Sequence, residues 1–123
     1  MSDGIPTAPR GTRAPGRRLW RAVLEEYSLE EHEMALLREA VRTVDLLDEL
    51  DGLVRRDGAL QDSPQGLRAH PAAVEARQQR IALARLLAAL RMPAGAGDDV
   101  QAGARRPQRR AGARGTYGIR GAV

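Results

Sequence analysis

The chain has 123 residues and no cysteine, so it holds at most one domain with tails and forms neither disulfides nor thiolate metal sites. All 20 basic residues are Arg, against 16 acids, which gives a formal net charge of +4. No apolar stretch reaches the about 20 residues of a membrane-spanning helix, and the first residues lack the apolar centre of a signal peptide, so we expect a soluble, cytoplasmic protein.

The first segment, residues 1–16, is rich in Pro, Gly, Thr and Ala. Such a composition buries little apolar surface, so we expect a disordered arm. From residue 17 the apolar residues fall at helical spacing, which predicts a short first helix with Leu19, Trp20, Val23, Leu24 and Tyr27 on one face. We interpret Trp20 and Tyr27 as packing residues. Stacking on nucleic-acid bases is the alternative, and it requires both rings to be exposed.

A second, longer helix is predicted from Ser28 to about residue 56. Ser28 and Glu31 have the spacing of a capping box, and Gly58 can close the other end in a left-handed turn. The apolar residues follow a heptad pattern, which is typical of a coiled-coil seam. The seam residues of this helix are Leu36, Ala40, Leu47, Leu50 and Val54. Charged residues, Asp45 among them, fall on the opposite side.

The stretch from residue 58 to 69 contains Pro and Gly and predicts a loop. A third helix begins near Pro71, where a missing N–H costs nothing, and ends at Met92 before Pro93. Its seam residues are Leu83, Leu87 and Leu90. We therefore predict an all-α fold, in which a short N-terminal helix and a long antiparallel helical hairpin form a core domain of residues 17–92. Residues 93–123 are expected to form a disordered, Arg-rich tail.

The predicted core is small for the number of residues that it must order. Apolar burial within one chain falls short of the conformational entropy lost when the helices form. A second copy that packs along the seam buries more apolar surface. The sequence therefore predicts a homo-oligomer.

No catalytic or metal-binding constellation stands out in the sequence. His32-Glu33 begins like the zinc-protease helix motif, but Leu36 occupies the position of the second His. The absence of Lys excludes a P-loop, and the acids at the start of the second helix suit the positive end of its dipole. We expect a protein that is not an enzyme and that has no cofactor and no bound metal.

Arg residues gather at both ends of the chain, while acids dominate the middle. Codon usage in a GC-rich genome accounts for Arg in place of Lys but not for this placement, and a merely solubilising tail is the alternative to a binding role. Flexible Arg side chains contact phosphates without reading base sequence. The predicted nucleic-acid-binding residues are Arg10, Arg13, Arg17 and Arg18, which Arg21 follows, and in the tail Arg105, Arg106, Arg109, Arg110 and Arg114.

The order of several short motifs resembles a known family. The motifs are Leu19-Trp20, Tyr27-Ser28-Leu29, Asp45…Asp48…Leu50, a Gly-bearing loop, His70-Pro71, Gln78, Leu86-Leu87 and Pro93. This order is similar to that of the small subunit of phage terminase, in the branch of short helical chains from tailed phages and prophages, many of them actinobacterial. The resemblance covers residues 16 to 93.

The resemblance implies a role in viral genome packaging. Small terminase subunits bind double-stranded viral DNA and recruit or regulate a large subunit that holds the ATPase and nuclease. A member would be a ring-like homo-oligomer in the cytoplasm of a bacterial host, without catalytic residues. Many members use an N-terminal helix-turn-helix, but here almost no turn separates the first two predicted helices, so DNA contacts are predicted from charge alone. The alternative is a helical protein–protein adaptor with a solubilising Arg-rich tail.

Overall fold

Three helices and one β-hairpin make up the structure, a computed structural model that describes residues 4–93. In chain order the elements are α1 (Ala14–Glu26), α2 (Glu31–Asp57), β1 (Leu60–Ser63), β2 (Gly66–Ala69) and α3 (Pro71–Leu90). The predicted predominance of helix is confirmed. The prediction of an all-α fold is wrong, because the segment predicted as a loop contains a two-stranded sheet. The tail from residue 94 onward lies outside the described residues.

The segment before α1 packs against the rest of the protein. Ile5 and Ala8 contact the core, and the indole N–H of Trp20 donates to the carbonyl oxygen of Pro6 at 2.8 Å. The helix itself begins at Ala14. The prediction of a disordered arm is therefore wrong for residues 4–16. A buried indole N–H needs an acceptor, and Pro residues limit the alternative conformations of the segment that supplies it.

The start of α2 differs from the predicted capping box at Ser28. The cap residue is Glu30, whose backbone N–H donates to Oε1 of Glu33 at 2.7 Å. The shift has a packing cause, because Tyr27 is buried in an extended conformation and Leu29 packs against the core. The chain therefore crosses from α1 to α2 in extended form, and the helix begins only after this crossing.

The core lies where α1 packs against the first half of α2 and the last turn of α3. Its buried members are Trp20, Val23, Leu24, Tyr27, Leu37, Val41 and Leu90. Of the predicted seam residues, Ala40, Leu47 and Leu90 are buried, whereas five remain partly exposed, namely Leu36, Leu50, Val54, Leu83 and Leu87. On α2 the centre of the buried stripe is Leu37 instead of Leu36, because α1 covers one flank of the helix as well.

A tight β-hairpin joins α2 to α3. Its strands pair antiparallel from Leu60 opposite Ala69 to Ser63 opposite Gly66. Gly58 and Gly66 have φ values of 89° and 108°, which residues other than glycine rarely adopt. Gly58 thus ends α2 as predicted, but its ψ of 153° turns the chain into the strand and not into a left-handed helical turn.

Side-chain contacts connect α2 and α3 at both ends and near the middle. The three pairs are Asp57–His70 at 2.9 Å, Asp51–Arg80 at 2.7 Å and Glu33–Arg91 at 3.1 Å. Their order along α3 is the reverse of their order along α2. In the last pair the side chain of Glu33 is buried, at 6% exposed. Because Arg91 follows α3, this pair fixes the point at which the chain leaves the helical body.

Candidate nucleic-acid interface

Five Arg residues lie at one end of the helical body and form what we call the N-terminal Arg cluster. Its members precede α1 or lie in its first two turns, and all are exposed: Arg10, Arg13, Arg17, Arg18 and Arg21. The cluster comprises the four Arg predicted in this region and Arg21, which follows them in the sequence. The predicted tail residues Arg105, Arg106, Arg109, Arg110 and Arg114 lie outside the described residues.

Two members of the cluster have partners within the described residues. Arg13 donates to the carbonyl oxygen of Asp45 at 3.3 Å and approaches the carboxylate of Glu49 at 3.8 Å. Arg17 donates through Nη1 to the carbonyl oxygen of Thr12 at 2.6 Å.

The side chains of the other three members make no hydrogen bond or ion pair with any residue of the range 4–93; these members are Arg10, Arg18 and Arg21. An exposed guanidinium without a partner keeps all of its N–H donors for a ligand. The cluster therefore presents unused positive charge to solvent.

The first turn of α1 carries positive charge where acids are usual. The N-terminus of a helix is the positive end of its dipole, and acids usually occupy the first turn. In α1 the first turn holds no acid and instead carries Arg17. The negative charge at this end of α1 comes from another helix instead.

Asp45 on α2 supplies the missing cap of α1. Its carboxylate accepts from the backbone N–H of Arg13 through Oδ2 at 2.6 Å and from that of Gly16 through Oδ1 at 2.8 Å. Arg13 occupies the cap position but makes no side-chain cap bond of its own. The carboxylate of another helix therefore satisfies the buried N–H of Gly16, which would otherwise have no partner, and the partly buried N–H of Arg13.

Sequence reasoning placed Asp45 on the outer side of α2, and that placement is wrong. The residue is 9% exposed, because α1 covers it. Gly16 permits this approach, since a Cβ there would lie 2.8 Å from the carbonyl oxygen of Val41. The signal that could have identified Asp45 is a Pro-Gly helix start without its own capping side chain, which requires an acceptor from elsewhere.

The aromatic residues do not contribute to this surface. Trp20 and Tyr27 are 4% and 5% exposed, which confirms that they are packing residues. Neither ring can stack on a base without leaving the core.

A second polar group lies at the junction between α2 and α3. Nδ1 of His70 accepts from the backbone N–H of Ala72 at 2.9 Å, so Nε2 carries the hydrogen and donates to Oδ2 of Asp57 at 2.9 Å. Arg56 donates to both oxygens of the same carboxylate. The hydrogen bonds from Arg56 and then from His70 hold the pKa of Asp57 well below its usual range. His70 therefore caps α3.

Metal binding and membrane insertion have no support among the residues that the structure describes. Within residues 4–93 no three His, Asp or Glu side chains gather as a set of metal ligands. None of the three described helices combines the length and the apolar character that crossing a bilayer requires.

Comparisons with protein-family models, with curated proteins and with solved structures found no match for this chain.

Proposed function

We propose that this protein is the small subunit of a phage terminase, which binds double-stranded viral DNA and recruits or regulates the large ATPase/nuclease subunit without catalysing a reaction itself. The observation that carries the proposal is the N-terminal Arg cluster. Three of its five guanidinium groups have no partner among the described residues. The order of motifs that resembles small terminase subunits gives the cluster its biological setting.

DNA phosphates are the ligands that suit such a surface. Arg side chains neutralise phosphates and release bound counterions, which gives affinity without base specificity. The cluster offers five exposed Arg side chains, and the Arg-rich tail adds further positive charge. Binding of this kind positions a packaging complex on DNA, while cutting and translocation belong to the large subunit.

The proposed assembly is a ring-like homo-oligomer built on an antiparallel hairpin of α2 and α3. Apolar side chains on these helices remain exposed in the single chain, including Leu46, Val74 and Ile81 at 37%, 42% and 44%. Val74 and Ile81 lie two turns apart on one side of α3 and offer apolar surface for such a contact. Light scattering at micromolar concentration should give a multiple of 13.4 kDa. A monomer mass would contradict the assembly.

Fluorescence anisotropy with a labelled duplex tests DNA binding. The triple variant Arg10→Gln/Arg18→Gln/Arg21→Gln removes the unpartnered charges of the cluster. The control Arg68→Gln/Arg77→Gln/Arg85→Gln removes the same charge from exposed positions on the β-hairpin and α3. We expect the cluster variant to lose at least about tenfold in affinity at low salt, and the control to lose less than about threefold.

The tail is tested separately with a variant in which Arg105, Arg106, Arg109, Arg110 and Arg114 are replaced by Gln. A tail that contacts phosphates should weaken duplex binding when its charge is removed. Unchanged binding in this variant assigns DNA contact to the cluster alone. Unchanged binding in both variants contradicts the proposal.

The second candidate function is a helical protein–protein adaptor. The β-hairpin favours this function, because Leu60 and Leu67 are 60% and 68% exposed there and share one face of the sheet. Exposed apolar pairs of this kind are typical of contact surfaces for other proteins. The adaptor predicts no affinity for DNA even at low salt. A gene for a large ATPase–nuclease beside the gene for this chain favours the terminase proposal instead.

A further inference from the structure

A groove of about 450 Å³ separates residues 5–12 from α1. Its floor includes the buried indole of Trp20, and its walls include Pro6 and Pro9. The hydrogen bond from the Trp20 indole to Pro6 holds the outer wall at a fixed distance from the helix. The volume falls within the range of pockets that enclose small ligands, about 300–1,000 Å³.

The charged residues that line the groove are all basic. They are Arg10, Arg17 and Arg21, and no acid is among the lining residues. Arg10 and Arg21 have no partner among the described residues, and Arg17 uses one nitrogen for the carbonyl oxygen of Thr12. The acids of α1, Glu25 and Glu26, lie in its last turn, away from the groove. Three Arg residues thus line the groove, and no acidic residue lines it.

Apolar residues lie beside these charges in the lining of the groove, namely Pro6, Pro9 and Trp20. Electrostatic attraction for an anion increases to the extent that such surface excludes water. Guanidinium groups match the oxygens of phosphate, which they bind in pairs of hydrogen bonds. We propose that this groove binds one phosphate group, which belongs either to a nucleic-acid backbone or to a free phosphorylated ligand.

The inference does not depend on the role in DNA packaging, because it concerns the phosphate group and not the molecule that carries it. It also differs from contact by an exposed Arg surface, since a groove binds a single group in a saturable manner. The position of Trp20 supplies a reporter. This residue is the one Trp of the chain and borders the groove, so its fluorescence responds to occupation without a label.

Titration of the full-length protein with pyrophosphate tests the proposal, with Trp fluorescence as the readout and sodium chloride at equal ionic strength as the reference. We expect a saturable change with a Kd on the order of 1–10 mM or tighter. The variant Arg10→Gln/Arg21→Gln should weaken binding at least about tenfold. The control Arg77→Gln/Arg85→Gln, which removes the same charge from α3, should bind like the wild type.

Isothermal titration calorimetry repeats the titration, because it detects binding that leaves the Trp fluorescence unchanged. No saturable binding by either method, or equal binding by the wild type and the Arg10/Arg21 variant, overturns the inference. A short unlabelled duplex then distinguishes the two sources of phosphate. If the duplex competes with pyrophosphate, the groove binds the nucleic-acid backbone. If both bind without competition, the groove binds a free ligand. Duplex binding without pyrophosphate binding overturns the inference that the groove binds phosphate, and it leaves the DNA-binding proposal intact.

Discussion

The carboxylate of Asp45 is the contact on which the N-terminal part of the structure most depends. It bridges α2 to the backbone of Arg13 and Gly16 at distances of 2.6 and 2.8 Å. The substitution Asp45→Ala removes both acceptors and leaves the rest of α2 unchanged. Two backbone N–H groups at the start of α1 then lose their partner, and the cluster of Arg residues around them loses its nearest buried negative charge.

The expected loss follows from the burial of the two bonds. A hydrogen bond to a charged acceptor contributes about 1.5–3 kcal/mol. The bond from Arg13 is only partly buried, so water replaces the acceptor there and the lower value applies. The bond from Gly16 is buried, and its N–H stays without a partner. The sum predicts a decrease of about 3–4 kcal/mol in the free energy of unfolding, a large part of the about 5–15 kcal/mol of a typical domain.

Urea unfolding followed by circular dichroism and by Trp fluorescence measures this loss. The variant Asp48→Ala is the matched control, because Asp48 is an exposed acid on the same helix. We expect the control to remain within about 0.5 kcal/mol of the wild type. If Asp45→Ala also remains within that range, the carboxylate does not hold α1 in place and our account of the N-terminal segment is refuted.

Three further substitutions test other contacts of the fold. Gly16→Ala places a methyl group 2.8 Å from the carbonyl oxygen of Val41, and we expect urea unfolding to show a loss of about 1–3 kcal/mol. His70→Ala removes the cap of α3, and the free energy of unfolding should fall by about 1 kcal/mol or more, which lowers Tm by several degrees. The pKa of Asp57 is lowered by folding, so its contribution to stability is present above the pKa of the unfolded chain and is lost as the solution is acidified below it. Asp57→Asn should therefore flatten the decline in Tm below about pH 4.

Each of these expectations has a result that contradicts it. A Gly16→Ala variant as stable as the wild type means that α1 and α2 are not in close contact. An unchanged Tm for His70→Ala means that the histidine does not cap α3. Parallel declines of Tm in acid for the wild type and Asp57→Asn mean that this carboxylate does not couple folding to protonation.

The sequence predicted those features that depend on neighbouring residues. The spacing of Trp20, Val23 and Leu24 indicated α1, and Pro71 and Gly58 marked helix ends that the structure confirms. Such signals are local, because periodicity and backbone restrictions act within a few residues.

The features that were missed depend on contacts between distant segments. An acid on a long helix is usually exposed, and only the approach of α1 makes Asp45 a buried cap. The strands of the hairpin are four residues long and have no apolar alternation, so their pattern cannot be distinguished from that of a loop. Likewise, the sequence identified four Arg residues near the N-terminus, but the groove beside them exists only because residues 5–12 fold back onto α1.

The dependence of duplex affinity on salt concentration tests the central claim most directly. The logarithm of the binding constant should fall linearly with the logarithm of salt concentration, with a slope of about −0.9 for each phosphate contacted. For the wild type we predict a slope of about −5 or steeper, and for Arg10→Gln/Arg18→Gln/Arg21→Gln a slope shallower by about 2–3. Equal slopes for the two proteins, or no measurable binding at about 50 mM salt, would contradict the claim that this surface holds DNA phosphates.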